Sequence, residues 1–488
     1  MIISGNHFVL AVCILCLGVW CCGQADNTEA SASASAAAPM EKAEQAALYS
    51  AIQGFVGNWW NGSDLYPDPC GWTPIQGVSC DIIGGLWYIT ALSIGPVHDN
   101  SLACDTNVEF RPQLFQLKHL KSLSFFSCFI SSSRRHQFTI PGDNWEKLAG
   151  NLVSLEFRSN PGLIGQIPTS FGYLKKLQSL VLLENGLTGE IPTSIGNLTN
   201  LNRLVLAGNR FTGKIPDSFG MLKELLILDL SRNSLSGHLP LGVGGLTSLL
   251  KLDLSNNRLK GKLFADVACL KNLTLLDLRH NKFSGGLSQH VLDMFSLEEL
   301  MLSSNPLGGD IMSLDWQSLQ NLVVLDLTST GLIGEIPESL SELKRLRYLS
   351  LGNNNLTGNL PPKLASLPDL NALYLNGNNL TGVLQFSQVF YGKMGKRFGA
   401  WNNPNLCYPV GSMTTTNAPY GVKPCQRGVT LLEPNSTAKL GDDGNLKNNT
   451  NSHFIASSGF PSYGTHRPRQ LILVDIFITV LLLLHLFL

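Results

Sequence analysis

The chain has 488 residues, of which 14% are charged, and its 35 Lys plus Arg are balanced by 35 Asp plus Glu. Zero net charge leaves no basic excess to neutralise phosphates, which excludes a general nucleic-acid binder, and 44% hydrophobic content excludes a chain disordered over most of its length. About three domains' worth of residues with so few charges fits a repeat solenoid or a membrane protein.

In chain order, residues 8–20 form an apolar run of signal-peptide length, too short to cross a bilayer. Small residues Gly23 and Ala25 permit cleavage after Ala25, so 1–25 reads as a signal peptide. The Ala/Ser-rich stretch 26–39 reads as a linker. Residues 40–95 read as an N-terminal cap. It has a helical stretch over 41–58, then Trp59 and Trp60, then Cys70-Gly-Trp72 and Gly77-Val-Ser-Cys80.

From 96 to 388 the chain repeats. The pattern LxxLxLxxNxLxGxIP starts at Leu152, Leu177, Leu201, Leu225, Leu249, Leu273, Leu297, Leu322, Leu346 and Leu370, in steps of 24 or 25, and a looser copy starts at Leu120. A register held over this length is the mark of a solenoid. In Leu225-x-x-Leu228-x-Leu230 the leucines face inward and the residues between them outward. Each coil stays half covered until a neighbour stacks on it. Asn160, Asn185, Asn209, Asn233, Asn257, Asn281, Asn305, Asn354 and Asn378 recur at one place, where an amide can satisfy backbone groups of adjacent turns. Cys128 and Thr330 take that place in two repeats and are expected to offer weaker bonds. The expected fold is α/β, a curved solenoid of about 11 repeats with a parallel sheet on its concave face. The segment 131–137, with Arg134, Arg135 and His136, reads as a solvated surface loop.

Residues 389–425 read as a C-terminal cap, with Asn403-Pro-Asn-Leu-Cys407 and Cys425, and 426–457 as a polar stalk. The tail 471–488 is apolar except for Asp475 and His485, and Arg467 and Arg469 precede it. Small residues at Ser457, Ser458 and Gly459, the spacer 460–470 and this tail match a GPI-anchor signal, with Ser457 as the attachment site and 458–488 removed; a transmembrane helix is the alternative. Seven N-x-S/T sequons, at Asn61, Asn197, Asn272, Asn355, Asn379, Asn435 and Asn448, fit a secreted glycoprotein carried to the outer face of the cell membrane.

No metalloprotease, hydrolase or kinase motif occurs, so no catalytic residue, no metal site and no cofactor is expected. Asp229, Asp253, Asp277 and Asp326 occupy one outward column, read as a hydrated row of carboxylates. The expected ligand surface on the concave face comprises Arg158, Arg203, Asp229, Lys251, Asp253, Asp277, Arg279, His280, Tyr348 and Tyr374. Both charge signs with aromatics suit a peptide, glycan or protein ligand.

The 24-residue repeat with Gly-x-Ile-Pro resembles the plant extracellular class of leucine-rich repeats, and both caps resemble the caps of that class. That resemblance implies one disulfide in each cap, Cys70–Cys80 and Cys407–Cys425. Cys104 and Cys128 sit on neighbouring early coils and are the expected third pair, which leaves Cys269 as a small packing residue. Asp68-Pro-Cys-Gly-Trp-Thr-Pro-Ile-Gln-Gly-Val-Ser-Cys80 and Leu155-Glu-Phe-Arg-Ser-Asn-Pro-Gly-Leu163 resemble the Piriformospora indica-insensitive group of plant receptor-like proteins. The resemblance covers about 40–425. It implies a recognition protein without a signalling domain that serves a plant's growth response to a beneficial root-colonising fungus, and so a transmembrane co-receptor or receptor kinase as partner. The alternative resemblance is to inhibitors of secreted microbial polygalacturonases, which lack a membrane-directed tail.

Overall fold

The structure, a computed structural model, describes residues 38–96, 101–130, 138–263, 265–409 and 418–426. The expected signal peptide, the loop 131–137, the stalk beyond 426, Asn435, Asn448, Ser457 and the apolar tail lie outside the described residues.

Each coil contributes one short strand, and its leucines build the core. In the coil of strand Ile227–Asp229, Leu225, Leu228 and Leu230 are buried, whereas Leu226 between them is exposed. Burying one such leucine contributes roughly 2 kcal/mol. The strands stack in parallel with no slip: Leu155, Leu180, Leu204, Leu228, Leu252, Leu276, Leu300, Leu325, Leu349 and Leu373 are partners in succession. A one-residue shift would turn every leucine to solvent, so the pattern itself holds the register. Among the described residues this makes a 14-stranded sheet, antiparallel only where Val78–Ile83 pairs with Leu86–Ile94.

After each strand the chain bends through a left-handed residue. Ser127, Ser159, Glu184, Arg232, Asn256, His280, Ser304, Ser329 and Asn353 all have φ between 46° and 58°. Side chains resist this conformation, and the ladder asparagine that follows holds it in place. Asn257 donates to the carbonyls of Leu230, Leu254 and Ser255 at 2.9–3.2 Å and accepts from Leu235 N at 3.0 Å. It thereby satisfies buried backbone groups of two coils at once. Thr330 manages one such donation, from Oγ1 to Leu327 O at 2.7 Å. The sulfur of Cys128, expected to offer a weak bond, is tied to Cys104 and has no proton to donate, and Asn160 of the next coil accepts from Cys128 N at 2.7 Å.

A second, shorter run of strands follows on the flank, and a 3-10 turn begun by proline, such as Asp217–Met221 after Pro216, closes the coil. At the N-terminal end, helix Lys42–Val56 buries Leu48, Ile52 and Phe55, and the Phe55 ring lies 4.7 Å from Phe125 and 5.2 Å from Phe110. At the other end, helix Gln388–Met394 packs Phe390 4.8 Å from Phe386 and Tyr391 5.4 Å from Phe398. These aromatic plugs keep the terminal leucines from water. Cys70–Cys80, Cys104–Cys128 and Cys407–Cys425 are bonded. Cys269 is exposed, not packed: it ends a 3-10 turn, Ala265–Cys269, at the surface. Among the described residues, no helix is long and apolar enough to cross a membrane.

Candidate functional site

The open face of the long sheet, the expected concave face, is ordered by register. One column runs Glu156, Val181, Val205, Asp229, Asp253, Asp277, Met301, Asp326, Ser350 and Tyr374. The column beside it runs Ser154, Ser179, Arg203, Ile227, Lys251, Leu275, Glu299, Val324, Tyr348 and Ala372. Strand alternation alone assigns both columns to this face.

The carboxylate column is not the fully hydrated row expected: Asp229 and Asp253 are half-buried and Asp277 and Asp326 are buried. Asp277 is 0% exposed and Asp326 6%, because neighbouring coils stand about 4.8 Å apart and cover them. Each carboxylate first answers its own backbone: Asp229 accepts from Ser231 N at 2.9 Å, Asp253 from Ser255 N at 2.8 Å and Asp326 from Thr328 N at 3.1 Å. Burial raises the Asp229 and Asp326 carboxyls above the ordinary range, against those hydrogen bonds. Asp253, with Asp229 and Asp277 on the adjacent strands, is raised well above it by burial and by both neighbours. Arg279 closes the row: its Nε is 3.0 Å from both Asp277 oxygens and its Nη2 2.7 Å from Oδ2. Burial alone would weaken the Arg279 charge; the Asp277 carboxylate more than offsets it.

Of the ten expected ligand residues, the structure places six on four adjacent strands or their ends. Arg203, Asp229, Lys251, Asp253, Asp277 and Arg279 form a charged centre, and Tyr348 and Tyr374, with ring centroids 5.8 Å apart, lie three and four strands beyond Asp277. Burial raises both phenols, and Asp326 adds to the effect at Tyr348. Burial lowers Lys251, partly countered by Glu299.

Arg158 stands apart. Arg158 pairs with Glu156 at 2.8 Å. The strand of Arg158 lies five strand steps from that of Asp277, about 24 Å at a spacing of about 4.8 Å. Between them Val181, Val205 and Ala207 make an apolar step. Arg203 borders that step, and its Nε is buried without a hydrogen-bond partner among the described residues. His280 leaves the face altogether: its φ of 54° turns the chain away, and its side chain is exposed at the bend. Glu299, 9% exposed and two strands from Lys251, was not singled out from the sequence. Its repeat position, the same as that of Lys251 two coils earlier, is the sequence signal that marks it.

The Leucine rich repeat family models match residues 199–259 and 317–380, and 176–198 and 272–294. Piriformospora indica-insensitive protein 2 of Arabidopsis thaliana is 63% identical over 148 residues, 30% of this chain and 34% of that protein. Receptor like protein 29 of Arabidopsis thaliana is 36% identical over 124 residues, 25% of each chain. The matches thus span between a quarter and about a third of these relatives. Among solved structures, PEPR1–AtPEP1 is similar with a TM-score of 0.58 and 27% identity, covering 76% of this chain and 56% of that one. The Arabidopsis receptor kinase HAESA, in complex with the peptide hormone IDA and the co-receptor SERK1, is similar with a TM-score of 0.56 and 28% identity, covering 76% and 62%. The chain is a leucine-rich-repeat solenoid, similar to plant leucine-rich-repeat receptor-like proteins and, over 148 residues, to Piriformospora indica-insensitive protein 2.

Proposed function

We propose that this chain is a non-enzymatic recognition protein at the outer face of the plant cell membrane. It binds an extended peptide along the open face of the sheet and passes the event to a transmembrane co-receptor or receptor kinase. The observation that carries this reading is the row Asp253, Asp277 and Arg279 on consecutive strands, with Tyr348 three strands beyond Asp277 and the unpartnered Arg203 Nε two strands before Asp253. Both charge signs, an apolar step and two phenols on one face can meet a chain of mixed side chains. The similarity to Piriformospora indica-insensitive protein 2 and to HAESA, solved with a peptide hormone and a co-receptor, supports the same reading. A role in growth promotion by a root-colonising fungus follows from the first of these.

We also propose a secreted glycoprotein held by a GPI anchor at Ser457. The sequon asparagines Asn61, Asn197, Asn272, Asn355 and Asn379 are all exposed, which supports glycan addition there.

The test is complementation. Plants that lack the protein receive the wild-type chain or the variant Arg203→Gln/Lys251→Gln/Tyr348→Phe, with surface amounts matched by immunoblot. Loss of the fungus-induced growth response with the variant is the expected result. Full rescue by the variant overturns the face assignment. Potent inhibition of fungal polygalacturonase by the purified chain replaces the receptor reading with the inhibitor one.

A further inference from the structure

The flank of the solenoid, away from the open face of the sheet, concentrates one sign of charge. Arg210, Lys214, Arg258, Lys260, Lys262 and Lys282 fall within four successive repeats, and all six are exposed. They sit on or beside the flank strands Arg210–Thr212, Arg258–Gly261 and Lys282–Phe283. Leu259 and Phe283 point into the core, so alternation sends Arg258, Lys260 and Lys282 outward.

Lys260 stands in direct register with Lys282. Like charges in that relation repel and weaken the pairing. No ion pair among the described residues relieves any of the six. The side chains are also laid along the array. The stem of Lys214 runs across Gly237, with Cγ, Cδ and Cε 3.0–3.7 Å from where a Cβ would stand, and Lys262 crosses Gly285 in the same way, its Cγ at 2.7 Å. His238 bridges the two, its ring across Gly261. Glu190 and Asp310 occupy the equivalent places at the two ends and bound the patch. In a chain of zero net charge, this is an uncompensated cluster of cations on three of four successive coils, the coil of Ser236 and His238 between them carrying no Lys or Arg on this flank.

An extended polyanion fits cations spread over several coils. The flank strands carry no exposed aromatic residue: the exposed aromatics Trp59, Trp72, Phe126, Tyr173, Phe295 and Tyr420 lie on other segments. Nucleobases would find no stacking platform there, whereas a polymer that carries one carboxylate per sugar needs only the cations.

We propose that this flank binds an acidic polysaccharide of the polyuronate class, each carboxylate meeting one or two of these side chains, at a site separate from the open face. Lysine and arginine heads on three of the four coils hold the polymer along the solenoid axis, and binding relieves the repulsion between Lys260 and Lys282.

The experiment measures binding of the purified full chain to immobilised polygalacturonate, its fully methyl-esterified form and a DNA duplex, from about 50 mM salt upward. Saturable binding to polygalacturonate that falls with salt is expected, with none to the neutral ester. The variant Arg258→Gln/Lys260→Gln/Lys262→Gln should bind about tenfold more weakly or worse. Lys260→Arg/Lys262→Arg should retain binding, as should the control Lys344→Gln/Arg345→Gln elsewhere on the surface. Thermal midpoints confirm that each variant is folded; should the triple variant misfold, Lys260→Gln alone must still weaken binding. Absence of binding, equal binding by the charge-removed variants, equal binding to the ester, or tighter binding to DNA overturns the proposal.

Discussion

The Arg279 guanidinium grips the Asp277 carboxylate with Nη2 2.7 Å from Oδ2 and Nε 3.0 Å from both oxygens, and the acid is 0% exposed. Two residues apart on one strand end, they form a fork that neutralises the most buried charge on the open face. Removing one member leaves the other charge buried and unpaired, which costs about 3–5 kcal/mol. We predict that Arg279→Met lowers the thermal midpoint strongly, and that Asp277→Asn added to it recovers much of the loss. Equal or additive losses in single and double variants would show that the pair is not coupled.

Asp253 lies between Asp229 and Asp277, and its carboxyl is raised by burial and by both. With the folded pKa above the unfolded one, folding takes up a proton in the window between them. The associated stability is complete below the ordinary carboxylate range and is lost as pH rises through the raised value. Asp253→Asn removes this penalty. Thermal scans should show the variant gaining on the wild type as pH rises from about 4 to 7, and a difference independent of pH counts against the assignment.

Asn257 satisfies three carbonyls and one N–H of two coils. Asn257→Ala leaves those groups buried and unpaired, at roughly 1–3 kcal/mol for each that water cannot reach. Asn257→Thr retains one donor in the manner of Thr330 and should cost less. Denaturant midpoints that rank wild type above threonine above alanine are the expected outcome. Alanine equal to threonine would assign the ladder to shape rather than hydrogen bonding.

Cys269 is an exposed free thiol at the end of a 3-10 turn. The native chain should take up maleimide at Cys269 without unfolding. Cys269→Ser should change stability by no more than about 0.5 kcal/mol, as surface substitutions do. Protection from labelling until the chain is denatured contradicts the exposed position.

Gly95 has a φ of 123°, and a Cβ there would stand 1.8 Å from the carbonyl oxygen of Phe126 on the next coil. Gly95→Ala forces the backbone of two coils apart, where the cap meets the first repeat. Secretion of the variant should fall sharply, and its normal secretion and unchanged thermal midpoint would show that the junction can yield.

The repeat period was legible in the sequence because the physics behind it is local and periodic. Leucines at LxxLxL must face inward, one asparagine per coil must answer the backbone, and both conditions can be read without knowing where the coils lie in space. The same alternation assigned Asp229, Lys251, Asp253 and Tyr348 to one face. Tertiary structure alone decided the state of those side chains. Stacking converts an outward column into a sheltered one, so Asp277 is fully buried while His280, three residues on, is exposed at a left-handed bend. Stacking also separated Arg158 from the charged centre and put Lys260 against Lys282, residues 22 positions apart in the chain. Burial, pairing and repulsion depend on which coil covers which, and that is a property of distances between coils, not of any one repeat.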